Sequence, residues 1–156
     1  MGMRGFTLIE MVVTVAVVAV LAAMAVPVAE LTAQRARESE LRLALRQIRG
    51  AIDDYKRLAD EGRIARAADG SGYPPRLAEL VHGVPDARSA DGRRIYLLRR
   101  IPRDPFVTDP EIDPVDTWGL RSYASPPDAP RAGADVFDVH SRAPGRGLNG
   151  VPYQEW

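Results

Sequence analysis

Cysteine is absent from this chain of 156 residues, and lysine occurs only once, at Lys56. Without cysteine, neither a disulfide nor a thiolate metal site can stabilise the fold. The 21 basic residues, almost all arginine, balance the 21 acidic residues. A net charge of zero gives no overall attraction to nucleic acid or to an anionic membrane surface. At this length we expect one small domain rather than two.

Charge is also nearly absent from residues 6–29, where Glu10 is the single charged side chain. A helix of this length would extend about 36 Å, which is enough to cross the ~30 Å hydrocarbon core of a membrane. Arg4 lies on the short side of the apolar segment. Its position predicts a cytoplasmic N-terminus and an extracytoplasmic remainder, with a single membrane pass.

Three interpretations of this segment compete. A secretory signal has a shorter apolar run and no carboxylate inside it. A plain membrane anchor fits the length but leaves Glu10 buried and unpaired, at a cost of at least a few kcal/mol. If the chain is instead cut before Phe6, a new amino group appears at the start of the helix, and Glu10 of a neighbouring subunit can neutralise it. The third interpretation is the one that explains the carboxylate.

Residues 5–10, with the sequence GFTLIE, resemble the processing motif of type IV pilins and type II secretion pseudopilins. The resemblance implies that a prepilin peptidase cuts after Gly5 and that the new terminal Phe6 is N-methylated. It also implies that Glu10 is the carboxylate used in assembly. The expected partners are other copies of the chain, other pseudopilins, the inner-membrane assembly platform and the prepilin peptidase.

Pro27 stands near the end of the apolar run. Inside a helix, proline removes one backbone hydrogen bond and clashes with a carbonyl of the preceding turn, so we expect a kink or local melting. A helix end at the membrane surface is the alternative. The resemblance to pilin-like proteins implies a stretch that can lose helicity in a filament.

Beyond Pro27 the sequence is typical of an amphipathic helix. Its apolar stripe consists of Leu41, Leu45, Ile48, Ile52 and Tyr55, at the spacings of three and four that place side chains on one helix face. We therefore predict a nearly continuous helix from Phe6 to Glu61. Its second half is suited to packing on a globular domain, and its first half to contact with lipid or with copies of itself.

Residues 62–156 contain 12 of the 13 prolines, which predicts a domain rich in loops. Proline at its start favours a short helix over residues 73–81. Residues 83–92 are predicted to be a polar connector, and the period of residues 95–98 does not separate helix from strand. Alternation predicts strands over 118–125 and 134–140, joined by a turn at 126–133 into a hairpin that lies on the apolar stripe.

These elements define an α+β fold. We expect a leader (1–5), a membrane-spanning assembly helix (6–29), an amphipathic helix (30–61) and a small periplasmic domain (62–156) with two or three antiparallel strands. The whole resembles a pilin. Residues 96–105, 117–119 and 135–139 further resemble the carboxy-terminal half of the major (G-type) pseudopilin of type II secretion. That resemblance implies a structural subunit of an export pseudopilus anchored in the bacterial inner membrane. The alternative is a type IV pilus subunit, or a minor pilin with an adhesive or DNA-binding role.

Two charged regions raise other functions. The acidic stretch 109–116 could supply oxygen ligands for calcium, but Pro114 stands where a helix–loop–helix calcium loop needs glycine. The family's calcium ligands follow the last strand, and residues 141–150 contain no carboxylate. We therefore expect no cofactor and no metal, although calcium bound through backbone carbonyls stays open.

The basic patch consists of Arg93, Arg94, Arg99, Arg100 and Arg103. Such a patch could bind nucleic acid. Because the net charge is zero and an acidic stretch is nearby, we favour ion pairs between subunits over nucleic acid. His82 and His140 are too few for a zinc site, and no nucleophile elbow or phosphate-binding glycine loop is present. We expect no enzyme.

Overall fold

The computed structural model describes residues 7–68 and 70–156, without the side chains of residues 24–27. Its elements are helix α1 (Leu8–Asp60), helix α2 (Glu79–His82), and strands β1 (Val84–Pro85), β2 (Arg94–Ile95), β3 (Trp118–Arg121) and β4 (Asp138–Ser141), with 3-10 turns at Pro114–Thr117 and Tyr153–Glu155. The predicted long helix and antiparallel strands are both observed. The α+β fold class with a pilin-like arrangement of elements is thereby confirmed.

The described residues form two compact units, divided after Arg37. In the first, every residue from 7 to 23 is exposed. In the second, a core of buried hydrophobic side chains lies between α1 and the loop-rich remainder. The five residues of the predicted stripe are all in that core, together with Leu77, Leu80, Trp118, Val136 and Val139. The amphipathic pattern therefore identified the correct face of α1.

Strands β3 and β4 pair antiparallel, with Trp118 opposite Ser141 and Arg121 opposite Asp138. The predicted hairpin is confirmed, but its strands are shorter than the predicted 118–125 and 134–140. The ladder stops at Arg121 because the next residues bind elsewhere: the amide of Ser122 donates to the carbonyl of Arg131, and the amide of Tyr123 to the carboxylate of Asp135. At Tyr123, a hydrogen bond to the side chain of Asp135 thus takes the place of a hydrogen bond between the two strands.

A second two-stranded sheet pairs β1 with β2, Val84 opposite Ile95. The prediction of a polar connector over 83–92 was wrong for Val84 and Pro85, which form β1. The short apolar segment at 95–98 contributes Ile95 to β2. Just beyond it, the amides of Leu97 and Leu98 both donate to the carbonyl of Leu80, which ties this sheet to α2.

Helix α2 is a single turn, Glu79–His82, so the helix predicted over 73–81 starts six residues too early. The first residues of the predicted helix make a different contact: the carbonyl of Pro74 accepts a hydrogen bond from the amide of Val136 at 2.8 Å. The predicted apolar contacts at Leu77 and Leu80 are nevertheless buried. Tertiary hydrogen bonding, rather than local propensity, sets the helix boundary here.

Candidate processing and assembly segment

Thr7 and Glu10 form a reciprocal cap at the start of α1. The Glu10 carboxylate accepts hydrogen bonds from the amide and the hydroxyl of Thr7, each at 3.1 Å, and the amide of Glu10 donates to the Thr7 hydroxyl at 3.3 Å. This capping box satisfies amide groups that have no partner inside the helix. A negative side chain in the first turn is also favoured by the helix dipole.

The role of Thr7 was missed by sequence reasoning, although its signal was present. A threonine followed three residues later by glutamate, ahead of an apolar run, is the capping-box pattern. Of the predicted site residues, Glu10 lies in this box. Gly5 and Phe6 fall outside the described residues, and the cleavage and N-methylation assigned to them stay predictions.

The surface of α1 around and beyond Glu10 is almost entirely apolar. Large exposed side chains include Leu8 (83% exposed), Ile9 (71%) and Leu21 (62%), with valines between them. By length and composition, helix α1 is long and apolar enough to cross a membrane near its N-terminus, and none of the described residues of that apolar stretch is buried. Such a surface is unfavourable in water, so this segment requires lipid or other protein around it.

Pro27 lies within the bounds of α1, Leu8–Asp60, but the side chains of residues 24–27 are not described. The kink or local melting expected at Pro27 therefore stays a prediction. Farther along the helix, the hydroxyl of Thr32 donates to the carbonyl of Val28 at 2.8 Å. Threonine hydroxyls inside helices often donate in this way to the carbonyl of the residue four positions earlier.

Two buried carboxylates hold the second unit together and were not predicted. Glu38 accepts hydrogen bonds from the hydroxyl of Tyr153 at 3.0 Å and from the amide of Leu148 at 2.8 Å. Asp104, which is fully buried, accepts from the hydroxyl of Ser141 at 2.5 Å and from the amide of Phe106 at 2.9 Å. Each acid has at least one partner distant in sequence, Tyr153 and Leu148 for Glu38 and Ser141 for Asp104, which no local pattern indicates.

A third carboxylate, Asp135, lies beside a cleft of about 910 Å³ lined mainly by residues 65–75 and 122–135. Burial acts to raise the pKa of Asp135. Hydrogen bonds from the hydroxyls of Ser122 (2.6 Å) and Ser71 and from the amide of Tyr123 (2.9 Å) outweigh burial, and its pKa is lowered overall. The lowered pKa keeps Asp135 ionised. Its hydrogen bonds connect the loop that contains Ser71 to the loop that contains Ser122 and Tyr123.

The acidic stretch 109–116 uses its carboxylates to shape its own backbone. Asp109 accepts from the amide of Glu111 at 3.0 Å, and Asp113 from the amide of Val115 at 2.9 Å. Among residues 7–68 and 70–156, no group of three histidine or acidic side chains is placed to hold a metal ion. That no metal or cofactor binds stays an expectation.

The five arginines of the basic patch fall into two groups, those that donate hydrogen bonds within the chain and those that form no ion pair in the part of the chain that the structure describes. Arg94 donates to the carbonyl of Gly83 at 2.6 Å, and Arg103 donates to the carbonyl of Asp109. Arg93, Arg99 and Arg100 are exposed and form no ion pair within the described part of the chain. They remain available for contacts outside the subunit, as the predicted intersubunit ion pairs require.

Comparison with known families gives one match, at the segment described above. Residues 1–26 match the family model described as the prokaryotic N-terminal methylation motif. The match covers Gly5, Phe6 and Glu10, and it supports a type IV pilin-like protein. No curated protein matches the chain, and no solved structure does.

Proposed function

We propose that this protein is a structural subunit of a periplasmic type II secretion pseudopilus. Prepilin peptidase cuts the precursor after Gly5, and the new terminus at Phe6 is N-methylated. The subunit remains in the inner membrane until it is assembled. The observation that carries the proposal is the methylation motif at residues 1–26, within which residues 7–23 form an exposed and almost entirely apolar helix surface. Burial of that surface among like helices favours assembly.

Glu10 is assigned to axial register in the filament. Its carboxylate is exposed in the first turn of α1 and is bound by Thr7 of the same chain. On assembly, the amino group of a neighbouring Phe6 offers a stronger partner, because an ion pair in a dry helix bundle is weakly screened. The Thr7 hydrogen bonds keep the carboxylate satisfied until that partner arrives.

Assignment to type II secretion rests on the second unit. The segments that resemble the major pseudopilin are packed on one another: the indole nitrogen of Trp118 donates to the carbonyl of Pro102 at 2.8 Å, and the amide of Asp104 to the hydroxyl of Thr117 at 3.3 Å. The third segment joins them, because Leu120 lies opposite Val139 in the ladder and Trp118 shares the core with Val136 and Val139. This packing is compatible with the pseudopilin proposal, which the resemblance of these segments carries.

Two substitutions test the processing and assembly steps. Gly5→Leu should leave full-length precursor in the membrane, which mass spectrometry of the N-terminus detects. Glu10→Ala should be cut normally but should fail to enter filaments, while Thr14→Ala, one turn further on, serves as a matched control. Cut Gly5→Leu protein, or normal filaments from Glu10→Ala, would overturn the proposal.

Overexpression and a secretion assay test the finer assignment. A major pseudopilin should form filaments without other subunits, and its deletion should stop export of folded proteins. Filaments that form only with a second subunit would instead indicate a minor pilin. Salt-sensitive DNA binding that is lost on Arg99→Glu together with Arg100→Glu would favour a DNA-binding role.

A further inference from the structure

The cleft beside Asp135 lies wholly in the second unit and is lined mostly by alanine, glycine and serine. The loops 65–75 and 122–135 form most of it, and its volume is about 910 Å³. Ligand sites in proteins typically have volumes of about 300–1,000 Å³. Asp135 already accepts three hydrogen bonds from within the chain. Recognition of a ligand in this cleft therefore depends mainly on other groups.

Both loops contain backbone amides without a hydrogen-bond partner. The lining residues concerned belong to no helix or strand, and they are Ala65, Arg66, Ala67, Ala132 and Gly133. In the part of the chain that the structure describes, none of their amides donates a hydrogen bond, whereas the nearby amides of Tyr123 and Arg131 do. Small side chains allow another backbone to approach these amides closely. Unpaired main-chain groups of this kind are what proteins use to bind an extended peptide.

Two exposed arginines, one in each loop, add positive charge to the cleft. Arg66 is 3.7 Å from the exposed carboxylate of Asp60, and a surface ion pair of this kind contributes little to stability. Arg131 forms no ion pair among residues 7–68 and 70–156. Both guanidinium groups are therefore available to the carboxylates of a ligand, with which arginine forms strong, directional hydrogen bonds.

Tyr73 and Tyr123 give the cleft a fixed aromatic surface. Their rings stack with 5.6 Å between the centroids, and Tyr73 also packs edge-on against Phe137 at 4.9 Å. Tyr123 is 62% exposed, although its amide is bound by the carboxylate of Asp135. A tyrosine ring offers a large apolar contact area at a low cost in conformational entropy. The cleft thus combines unpaired amides, positive charge and apolar contact.

We propose that this cleft binds an extended, acidic peptide segment of another protein. The unpaired amides of the two loops donate to carbonyls of the peptide, and Arg66 and Arg131 pair with its carboxylates. Alternate side chains of an extended chain point to opposite faces, so acidic residues on one face leave apolar residues on the other for Tyr123. All of these residues lie in the second unit, outside the apolar segment 7–23, so binding in the cleft is separate from the proposed filament role.

A second copy of the chain and a nucleic acid fit the cleft less well. The acidic stretch 109–116 is folded into turns, because the carboxylates of Asp109 and Asp113 accept from its own amides at 3.0 and 2.9 Å. It is therefore not an extended strand. Nucleic acid depends on many phosphate contacts and on aromatic faces that can receive bases. The cleft has two arginines, and Tyr73 and Tyr123 stack on each other instead.

Fluorescence anisotropy with the full-length protein in detergent micelles measures the binding. The probe is a labelled peptide that alternates Glu and Val, since β-branched residues favour an extended chain. The same peptide with Lys in place of Glu is its control. We expect saturable binding of the Glu–Val peptide, at least tenfold tighter than that of the Lys–Val peptide. Absence of saturable binding, or equal binding of the two peptides, would overturn the proposal.

Matched double substitutions locate the site. Arg66→Ala with Arg131→Ala should weaken binding of the Glu–Val peptide at least tenfold. Arg99→Ala with Arg100→Ala makes the same change of charge outside the cleft and should leave the affinity within twofold. Ala132→Leu should also weaken binding at least tenfold by occupying the cleft, without lowering the melting temperature, because position 132 is exposed. Equal losses from the two arginine pairs would mean unspecific attraction and contradict a site in the cleft.

Hydrogen exchange tests the role of the backbone. Saturating Glu–Val peptide should slow exchange at residues 65–67 and 132–133. Exchange at Leu97 and Leu98, whose amides are already bound by the carbonyl of Leu80, should not change. Unaltered exchange in both loops would rule out binding through their amides. More effective competition by an oligodeoxythymidylate than by unlabelled peptide would show a nucleic-acid site and likewise refute the peptide.

Filament assembly separates this inference from the proposed function. The variant with Arg66→Ala and Arg131→Ala should be processed and should enter filaments normally. If it does not, the cleft is a contact between subunits, and a partner other than this chain is wrong. Peptide binding by a protein that forms no filaments would leave the cleft assignment intact and overturn only the proposed function.

Discussion

Arg49 of helix α1 and Asp138 of strand β4 are joined by a hydrogen-bonded ion pair of 2.7 Å between Nε and Oδ1. The same guanidinium donates from Nη2 to the carbonyls of Val139 (3.0 Å) and Trp156 (2.6 Å). One side chain thus connects the helix to the hairpin and to the final residue. Because an arginine carries five donors in a rigid plane, it can make all three contacts at once.

Replacing Arg49 with Ala should destabilise the second unit by about 1–3 kcal/mol, since hydrogen bonds to two carbonyls and a carboxylate are lost together. Core residues begin at Leu41, so a fragment of residues 31–156 contains the whole core and suits the urea-unfolding measurement. Arg57→Ala removes only exposed ion pairs and should cost less than about 1 kcal/mol. Equal effects of the two changes would contradict this assignment.

Replacement of the fully buried Asp104 should be sensitive to shape and polarity. Asp104→Ala leaves the hydroxyl of Ser141 and the amide of Phe106 without this acceptor, at a cost of about 1–3 kcal/mol for each buried group. Asp104→Asn keeps one carbonyl oxygen and should cost less. The two unfolding free energies, compared in the 31–156 fragment, decide the matter. Similar losses for Ala and Asn would show that the acceptor contributes little.

Asp135 should make the second unit sensitive to acid. Its pKa is lowered in the folded state from the usual 3.8, because the hydrogen bonds from Ser122, Ser71 and Tyr123 outweigh burial. The stabilisation is therefore complete above the unfolded value and is lost as the pH falls through 3.8 toward the folded pKa. Asp135→Asn should reduce the slope of unfolding free energy against pH in that window. The control Asp128→Asn, in the neighbouring turn, should retain the wild-type slope.

Gly119 is required by a close contact across the hairpin. It lies opposite His140 in the ladder, and a Cβ at position 119 would fall 2.1 Å from Cε1 of that imidazole. Gly119→Ala should therefore destabilise the fragment by about 1–3 kcal/mol through overpacking. In a His140→Ala background the cost should nearly disappear. An unchanged cost in that background would show that the backbone, not the ring, needs the glycine.

The Thr7–Glu10 cap predicts a local effect at the start of α1. Thr7→Ala removes the hydroxyl of the capping box and should destabilise the first turn by about 1 kcal/mol. Thr7→Ser keeps the hydroxyl and serves as the control. Hydrogen exchange of the full-length protein in detergent micelles should be faster in the first turn of Thr7→Ala. Equal exchange in all three proteins would contradict a capping role.

Much of the long helix and its buried face could be predicted from the sequence. Helix periodicity and the length of an apolar segment depend only on residues that are close together in the chain. The spacing of Leu41, Leu45 and Ile48 identified the core face, and alternation located the β3–β4 hairpin. The β1–β2 sheet could not be found in the same way. Two residues per strand are too few for a period, and the pairing of Val84 with Ile95 becomes visible only in three dimensions.

The sequence by itself determined the apolar N-terminal segment that is compatible with anchoring in a membrane. A methylation motif, one carboxylate and an unbroken apolar run define it without reference to any distant residue, and residues 1–26 match that motif. Only the tertiary structure decided which groups the buried and partly buried acidic residues of the second unit bind. Glu38, Asp104 and Asp135 resemble ordinary polar residues in the sequence. Their partners Tyr153, Ser141 and Ser71 are 37 to 115 residues away, so only the folded chain brings donor and acceptor together.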